Sequence, residues 1–349
     1  MRQLAERTCA RSVDPRTGDV VTRWLSPSLC ALLLLLLLLS VLTGAVAITP
    51  DQAAQALFAG GDPIITTILF DIRLPRAFAA ALTGAALGIS GAAMQGLLRN
   101  PLAEPGTLGV SASAATAATA VVYFGLAASA PWLVPIASLI GACAATALIS
   151  TAAWRMRGVA SLILLGVALS ALSGAIMALF VNLAPNPFSL SDLINWTAGS
   201  VANRDWGDIA LSAPFIAAGA VLLMMVRRPL GVLALGEEVA HGLGVDLSRT
   251  RLAVIIGTGL ATGGAVALAG MVGFVGLVAP HAVRAAVRRD AGAALLPSAL
   301  AGAILTVIAD MGIRLFPWGS ELHLGTLAAL IGAPLFIALV FRLGNIRHG

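Results

Sequence analysis

The 349-residue chain contains no lysine, and all 21 of its basic residues are arginine. A nucleotide-binding P-loop needs a lysine on the β- and γ-phosphates. This polypeptide therefore does not bind ATP in that way, and Schiff-base chemistry is excluded with it. Charge of either sign is scarce: ionised side chains make up 11% of the chain and hydrophobic ones 59%, with a mean hydropathy of +0.96. Soluble domains carry about 25% charge and about 45–50% apolar residues. A water-soluble fold of this length has no interior large enough to hide so much apolar surface, and lipid is the solvent that fits. Cys9, Cys30 and Cys143 are scattered, with no C-x-x-C pair, which argues against a disulfide framework or a zinc site. They read as small apolar fillers. The basic excess, with a pI near 10.3, is read as topological rather than as a nucleic-acid footprint.

Apolar windows of about 20 residues, the length that spans a bilayer, or close to it occur at ten places. They are 28–48, 74–98, 107–127, 132–153, 160–182, 208–226, 252–271, 273–287, 294–314 and 325–342. The first carries no charge over 29–48 and ends in Ala45-Val46-Ala47, which resembles a signal cleavage site. Its apolar run and its Arg-bearing lead are both longer than a signal peptide's, so it is read as an uncleaved span. The seventh and eighth windows run almost continuously and are divided at Ala269-Gly270-Met271, where glycine is dense. The expected fold is an all-α polytopic membrane protein of about ten transmembrane helices. It has an N-terminal segment over 1–27, a permease-like domain over 28–342 and a tail over 343–349.

Arginine placement tests that count. With a cytoplasmic N-terminus, inner segments hold 17 arginines, and only Arg73, Arg76, Arg204 and Arg314 fall outside. This is the positive-inside asymmetry, and it puts both termini in the cytoplasm. Two hydrophilic stretches stand out. The cytoplasmic stretch within 227–256 carries Val232, Leu235, Val239 and Leu243 at helical spacing. The outer stretch 182–207 holds a short helix-like piece, Leu190–Val201, with Trp196 and Trp206 suited to an interface. A faint echo at an offset of 179 pairs Thr83-Gly84 with Thr262-Gly263, Gly91 with Gly270, Leu98 with Leu277 and Pro101 with Pro280. It fits either an inverted repeat of the transporter kind or chance in a Gly/Ala-rich chain. Gly84 and Gly88 form a G-x-x-x-G, and small faces of this kind let helices pack closely in lipid.

Three site patterns compete on the residues alone. Asp310 lies near the outer end of the ninth span, one turn before Arg314, so the two can pair at i, i+4. A local ion pair and a functional role are both open. A proton-driven secondary transporter would be expected to carry a relay of buried carboxylates, and none is seen. Gly88-Ile89-Ser90-Gly91 matches the G-x-S-G of intramembrane serine proteases, and His281 is the conceivable base, but four residues in a Gly/Ser/Ala-rich helix read more simply as packing. Glu238-Val239-Ala240-His241 lacks the second histidine of a zincin helix, and no metal site is expected.

Four ordered blocks are more specific. Arg73-Leu-Pro-Arg76 runs on into AFAAALTGAALGISGAAMQGLLRNPLAEPGTLGVSASA. LGEEVAHGLGVDLSRTR follows at 235–251, ALAGMVGFVGLVAPHAVR at 267–284, and ADMGIRL with ELHLGTLAALIGAPLFI at 309–315 and 321–337. Together they resemble the FecCD family, the permeases of type II ABC importers for iron–siderophores, haem and vitamin B12. The resemblance spans about residues 70–342. It implies a homodimer of ten-span subunits in the bacterial inner membrane, with two separate ATPase subunits below and a periplasmic substrate-binding protein above. ATP and Mg would sit on the ATPase, and this chain would bind no cofactor of its own. On the matching positions it implies that Arg73, Arg76 and Arg314 meet carboxylates of the binding protein. Leu235, Glu237, Glu238, Val239, His241, Leu243 and Arg249 would engage the ATPase through two short helices near 232–243 and 246–256. Asn100, Leu102, Ala160 and Ser161 would form the cytoplasmic gate, with Ala160 replacing the usual hydroxyl. Where the family commonly has Glu-Leu-Pro, this chain has Glu321-Leu322-His323, and His323 could transiently ligate haem iron. The implied cargo is an iron complex, haem or a ferric siderophore, with vitamin B12 as the alternative.

Overall fold

The computed structural model describes residues 15–44, 46–58, 61–155, 159–284, 286–287, 290–315 and 322–346. Residues 1–14 of the N-terminal segment, Arg157, Arg288, Arg289, Glu321 and the last three residues of the tail lie outside the described residues.

Every described element is helical. The helices are α1 (Pro15–Leu42), α2 (Pro50–Phe58), α3 (Pro63–Leu98), α4 (Val110–Tyr123), α5 (Leu133–Arg155), α6 (Val159–Asn182) and α7 (Pro187–Ala198). They continue with α8 (Trp206–Met225), α9 (Arg227–Leu233), α10 (Glu237–Gly242), α11 (Leu247–Ala269), α12 (Val275–Arg284), α13 (Ala291–Leu315) and α14 (Leu324–Ile346). A helix stands at each of the ten expected positions. Seven of those described are long and apolar enough to cross a membrane: Trp24–Leu42 of α1, then α3, α5, Ala160–Asn182 of α6, α8, α11 and α13. Among the others, α4 has 14 residues and the apolar stretch of α14 runs over Leu324–Pro334. α12 has 10 residues, about 15 Å at 1.5 Å per residue, half of an approximately 30 Å hydrocarbon core.

The bundle is layered by burial rather than by amphipathic stripes, as expected where lipid is as apolar as the core. In α3 and α11, 78% of the most apolar window is buried, against 6% in α1 and 17% in α6. α3 is the axis, and α13, α11, α12 and α8 pack around it.

What lets helices approach α3 is the absence of side chains. A Cβ on Gly84 would overlap the Gly302 carbonyl oxygen of α13, one on Gly88 the Ser298 carbonyl, and one on Gly91 the Gly276 carbonyl of α12. With no hydrophobic force between helices in lipid, such backbone-to-backbone packing supplies the dispersion energy of association. Thr306 reinforces it by donating to Ala80 O at 2.7 Å across the α3–α13 seam.

Backbone geometry sets the breaks. α11 ends at Gly270, in the left-handed region at φ +71, where a Cβ would lie 2.5 Å from Trp196 O. The non-helical stretch 270–274 packs against the end of α7, where a Cβ on Gly199 would overlap Met271 O. Ser200 N donates to Ala269 O at 2.7 Å and Val275 N to Gly273 O at 2.8 Å. Irregular backbone is tolerated at depth where protein covers it. The expected echo fails here: Gly91 lies inside α3, whereas its counterpart Gly270 terminates a helix. The expected helix over 190–201 is α7, started earlier by the Asn186 side chain, which accepts from Ser189 N at 2.8 Å, and stopped at Gly199 with φ +75.

The segment expected as two helices over 232–243 and 246–256 is divided differently. α9 and α10 form an elbow broken at Gly236, with φ +116. The second expected helix is instead the start of α11. Asp246 caps that helix, accepting from Arg249 N at 3.0 Å, and no breaker follows until Gly270.

Candidate functional site

At one end of the bundle, Asp310 of α13 is completely buried. Arg76 of α3 donates to its Oδ1 through Nε at 2.8 Å, and its Nη2 lies in ionic contact with the same oxygen, also at 2.8 Å. Arg314 Nη2 lies 3.0 Å from Oδ2, in ionic contact, but Oδ2 receives no hydrogen bond. Arg314 aims elsewhere. Its Nη1 donates to Ser40 O at 2.8 Å and Thr43 O at 2.9 Å, and its Nη2 to Ser40 Oγ. Arg73 donates through Nη1 to Val41 O and Leu42 O, each at 3.0 Å, and through Nη2 to Val46 O. Its guanidinium lies across Gly44, where a Cβ would clash with it.

The last carbonyls of any helix lack intrahelical partners and carry the negative end of its dipole. Two guanidiniums cap those carbonyls at the end of α1. That corrects the expectation that Arg73, Arg76 and Arg314 all project toward a partner. Arg73 is only 5% exposed and Arg314 is nearly as enclosed, because orphan carbonyls in a low-dielectric setting satisfy a guanidinium better than an open rim does. Arg76 alone keeps a free edge, its side chain 20% exposed.

At the opposite end, the elbow α9–α10 is anchored from below. Leu230 and Leu233 are buried, with Leu230 against Gly96 of α3. Above them Leu235, Val239 and Leu243 are 67%, 47% and 64% exposed. Glu238, His241 and Arg249 are exposed beside them, and Glu237 is half-buried. Arg249 pairs with Asp246 at 3.0 Å. Three large apolar side chains thus stand bare among charges on the elbow. Val232, expected on that face, turns partly into the core. The true anchors, Leu230 and Leu233, were missed in the sequence because Pro229 hid the start of a helix there.

The loop after α3 begins at Arg99, in the left-handed region at φ 47. Asn100 Oδ1 accepts from Leu102 N at 2.9 Å, which points Leu102 outward, 47% exposed. The next turn, Pro105–Leu108, rests on α6: a Cβ on Gly166 would overlap Thr107 O. Ala160 is exposed and Ser161 half-buried at the start of α6. The structure thus joins the two expected gate segments through one turn. Burial pushes the Glu104 carboxyl in this loop above the usual carboxylate range. Gln95, Arg99, Arg284 and Asp290 line a pocket beneath the elbow, in which Arg284 donates to Gln95 Oε1. His323 is half-buried just before α14, which it starts by accepting from Leu327 N at 3.1 Å.

The protease pattern does not assemble. Ser90 is fully buried, and neither its Oγ nor His281 Nδ1 has a hydrogen-bond partner. Ser90 is a packing residue.

The sequence profile of the FecCD transport family matches residues 32–342. The chain belongs to the FecCD family. An uncharacterized ABC transporter permease protein of Bacillus subtilis (strain 168), YvrB, is 40% identical over 80% of each chain. The vitamin B12 import system permease protein BtuC of Citrobacter koseri is 38% identical over 92% of this chain and 94% of its own. A solved metal-chelate type ABC transporter in an inward-facing conformation superposes with a TM-score of 0.82 at 29% identity, over 91% of this chain and 98% of that one. This FecCD protein is accordingly a multi-pass membrane permease of an ABC importer.

Proposed function

We propose that two copies of this chain form the channel of an importer for a large metal chelate. The reading is carried by the elbow, whose exposed Leu235, Val239 and Leu243 suit the groove of a separate ATPase, with Glu237, Glu238, His241 and Arg249 at the rim. The elbow faces the cytoplasm, and the Asp310 end meets a substrate-binding protein through Arg76. Closure of the ATPase pair on ATP drives the elbow against α3 and rocks the two subunits. Asn100, Leu102, Ala160 and Ser161 then meet their copies as the inner gate. Small and apolar gate residues hold cargo weakly, which favours release over retention.

Exposed positions are cheap to change, within about 0.5 kcal/mol, so a Val239→Glu, Leu243→Glu double variant is expected to fold and elute as the parent does. It should lose at least about tenfold of its ATPase co-purification, as expected for removing apolar anchors from an interface. Undiminished ATPase recovery would overturn the assignment.

For cargo, the relatives named for vitamin B12 import favour a corrinoid over the haem or ferric siderophore placed first in the sequence analysis. The absorption spectrum of the cognate binding protein, purified with its natural ligand, tests this. Corrinoid bands are expected, and a haem Soret band would instead restore iron complexes and a role for His323.

A further inference from the structure

We propose that Asp310 is the positioning residue of the docking end, and that its unbonded Oδ2 makes the arginine cluster a two-position relay from the binding protein to the first span. The proposal rests on the docking reading above. Asp310 is completely buried, and its one side-chain hydrogen bond comes from Arg76 Nε, with Arg76 Nη2 in ionic contact with the same oxygen. Arg76 is also the only one of the three arginines with an open edge. An incoming carboxylate that engages Arg76 draws it outward, because guanidinium–carboxylate pairs prefer two parallel bonds. Asp310 is then left with Arg314 alone.

A buried carboxylate does not tolerate loss of its donors, and the nearest replacement is already 3.0 Å from Oδ2. That replacement is Arg314 Nη2, now bonded to Ser40 Oγ. One guanidinium cannot keep Ser40 and Thr43 while turning to face Oδ2. Docking therefore moves Arg314 from the end of α1 to Asp310 and uncaps the Ser40 and Thr43 carbonyls. The element set free is the one least held by the bundle, since only 6% of the apolar window of α1 is buried.

The test is hydrogen exchange over residues 39–47 of the full importer in nanodiscs, with and without the cognate binding protein, alongside a binding curve. In the parent, docking should speed exchange there by about tenfold or more, the signature of local opening. Asp310→Asn needs no second cation. It should still dock, with a faster on-rate because Arg76 is released, while exchange at 39–47 no longer responds. Asp310→Glu should restore the response. If Asp310→Asn does not fold, Ser40→Ala replaces it and should show fast exchange at 39–47 before docking. A binding protein that docks on the parent without changing exchange at 39–47 overturns the relay alone. A binding protein that fails to dock overturns the docking reading and the relay with it, and the binding curve separates the two results.

Discussion

Replacing Gly88 by leucine is expected to leave almost no folded protein. The Cβ alone would overlap the Ser298 carbonyl of α13, a backbone atom that no side-chain rotation can move aside. Alanine at the same site already forces the seam apart, at a cost of about 1–3 kcal/mol. Leucine must separate two helices along their most intimate contact, and the loss should exceed about 4 kcal/mol, the range reserved for damage of this kind. Separation also breaks the bond from Thr306 to Ala80 O across the seam, and leaves the hydroxyl only the Gly302 and Ala303 carbonyls of its own helix. Detergent-extracted yield and the thermal midpoint by size-exclusion chromatography would report the series. The expected order is Gly, then Ala, with Leu recovered only as aggregate. A leucine variant that elutes like the parent would mean that α3 and α13 are not in backbone contact.

Asp310→Ala is the second large effect. Among the described residues, the Asp310 carboxylate is the anion in ionic contact with these guanidiniums, Arg76 and Arg314 each lying within 3.0 Å. Removing one partner of a buried pair leaves the other uncompensated, typically at about 3–5 kcal/mol. The cost is not symmetric across the cluster. Arg76 can turn toward solvent, but Arg314 is held beneath the end of α1, so most of the penalty should fall there. Pairing Asp310→Ala with Arg314→Met, which removes the stranded charge and keeps the volume, should recover more stability than pairing it with Arg76→Met. Thermal midpoints of the two double variants decide this, and the reverse order would show that Arg76 carries the main pairing.

The spans were legible because about twenty apolar residues in a row have few other uses. The break at Gly270 was legible because glycine crowds it. Other features depend on backbone detail that residue types do not declare. The stretch 273–287 reads as a whole span, yet its helix is only Val275–Arg284, preceded by Phe274 at φ 65, a conformation unusual for that residue. The pairing of Asp310 with Arg314 follows from four-residue spacing and was visible. The pairing of Asp310 with Arg76 crosses 234 residues of chain and was not. Nor was the inward turn of Arg73, since nothing in its neighbours shows that the end of α1 lies beside it. Resemblance to the FecCD permeases located the elbow, while exposure separated its anchors from its partner-facing side chains.

One further consequence lies in the π-helical turn at Ile68–Arg73 within α3. Such a turn accommodates one residue more than an α-helix does, so the chain carries a built-in insertion just ahead of its most buried helix. Excising a single residue there is expected to convert the turn to regular α-helix and to leave Pro63–Thr67 and Leu74–Leu98 facing as they do now. The register of the axis is thereby insulated from changes of length upstream, and α2 with its flanking loops is free to vary without disturbing the core.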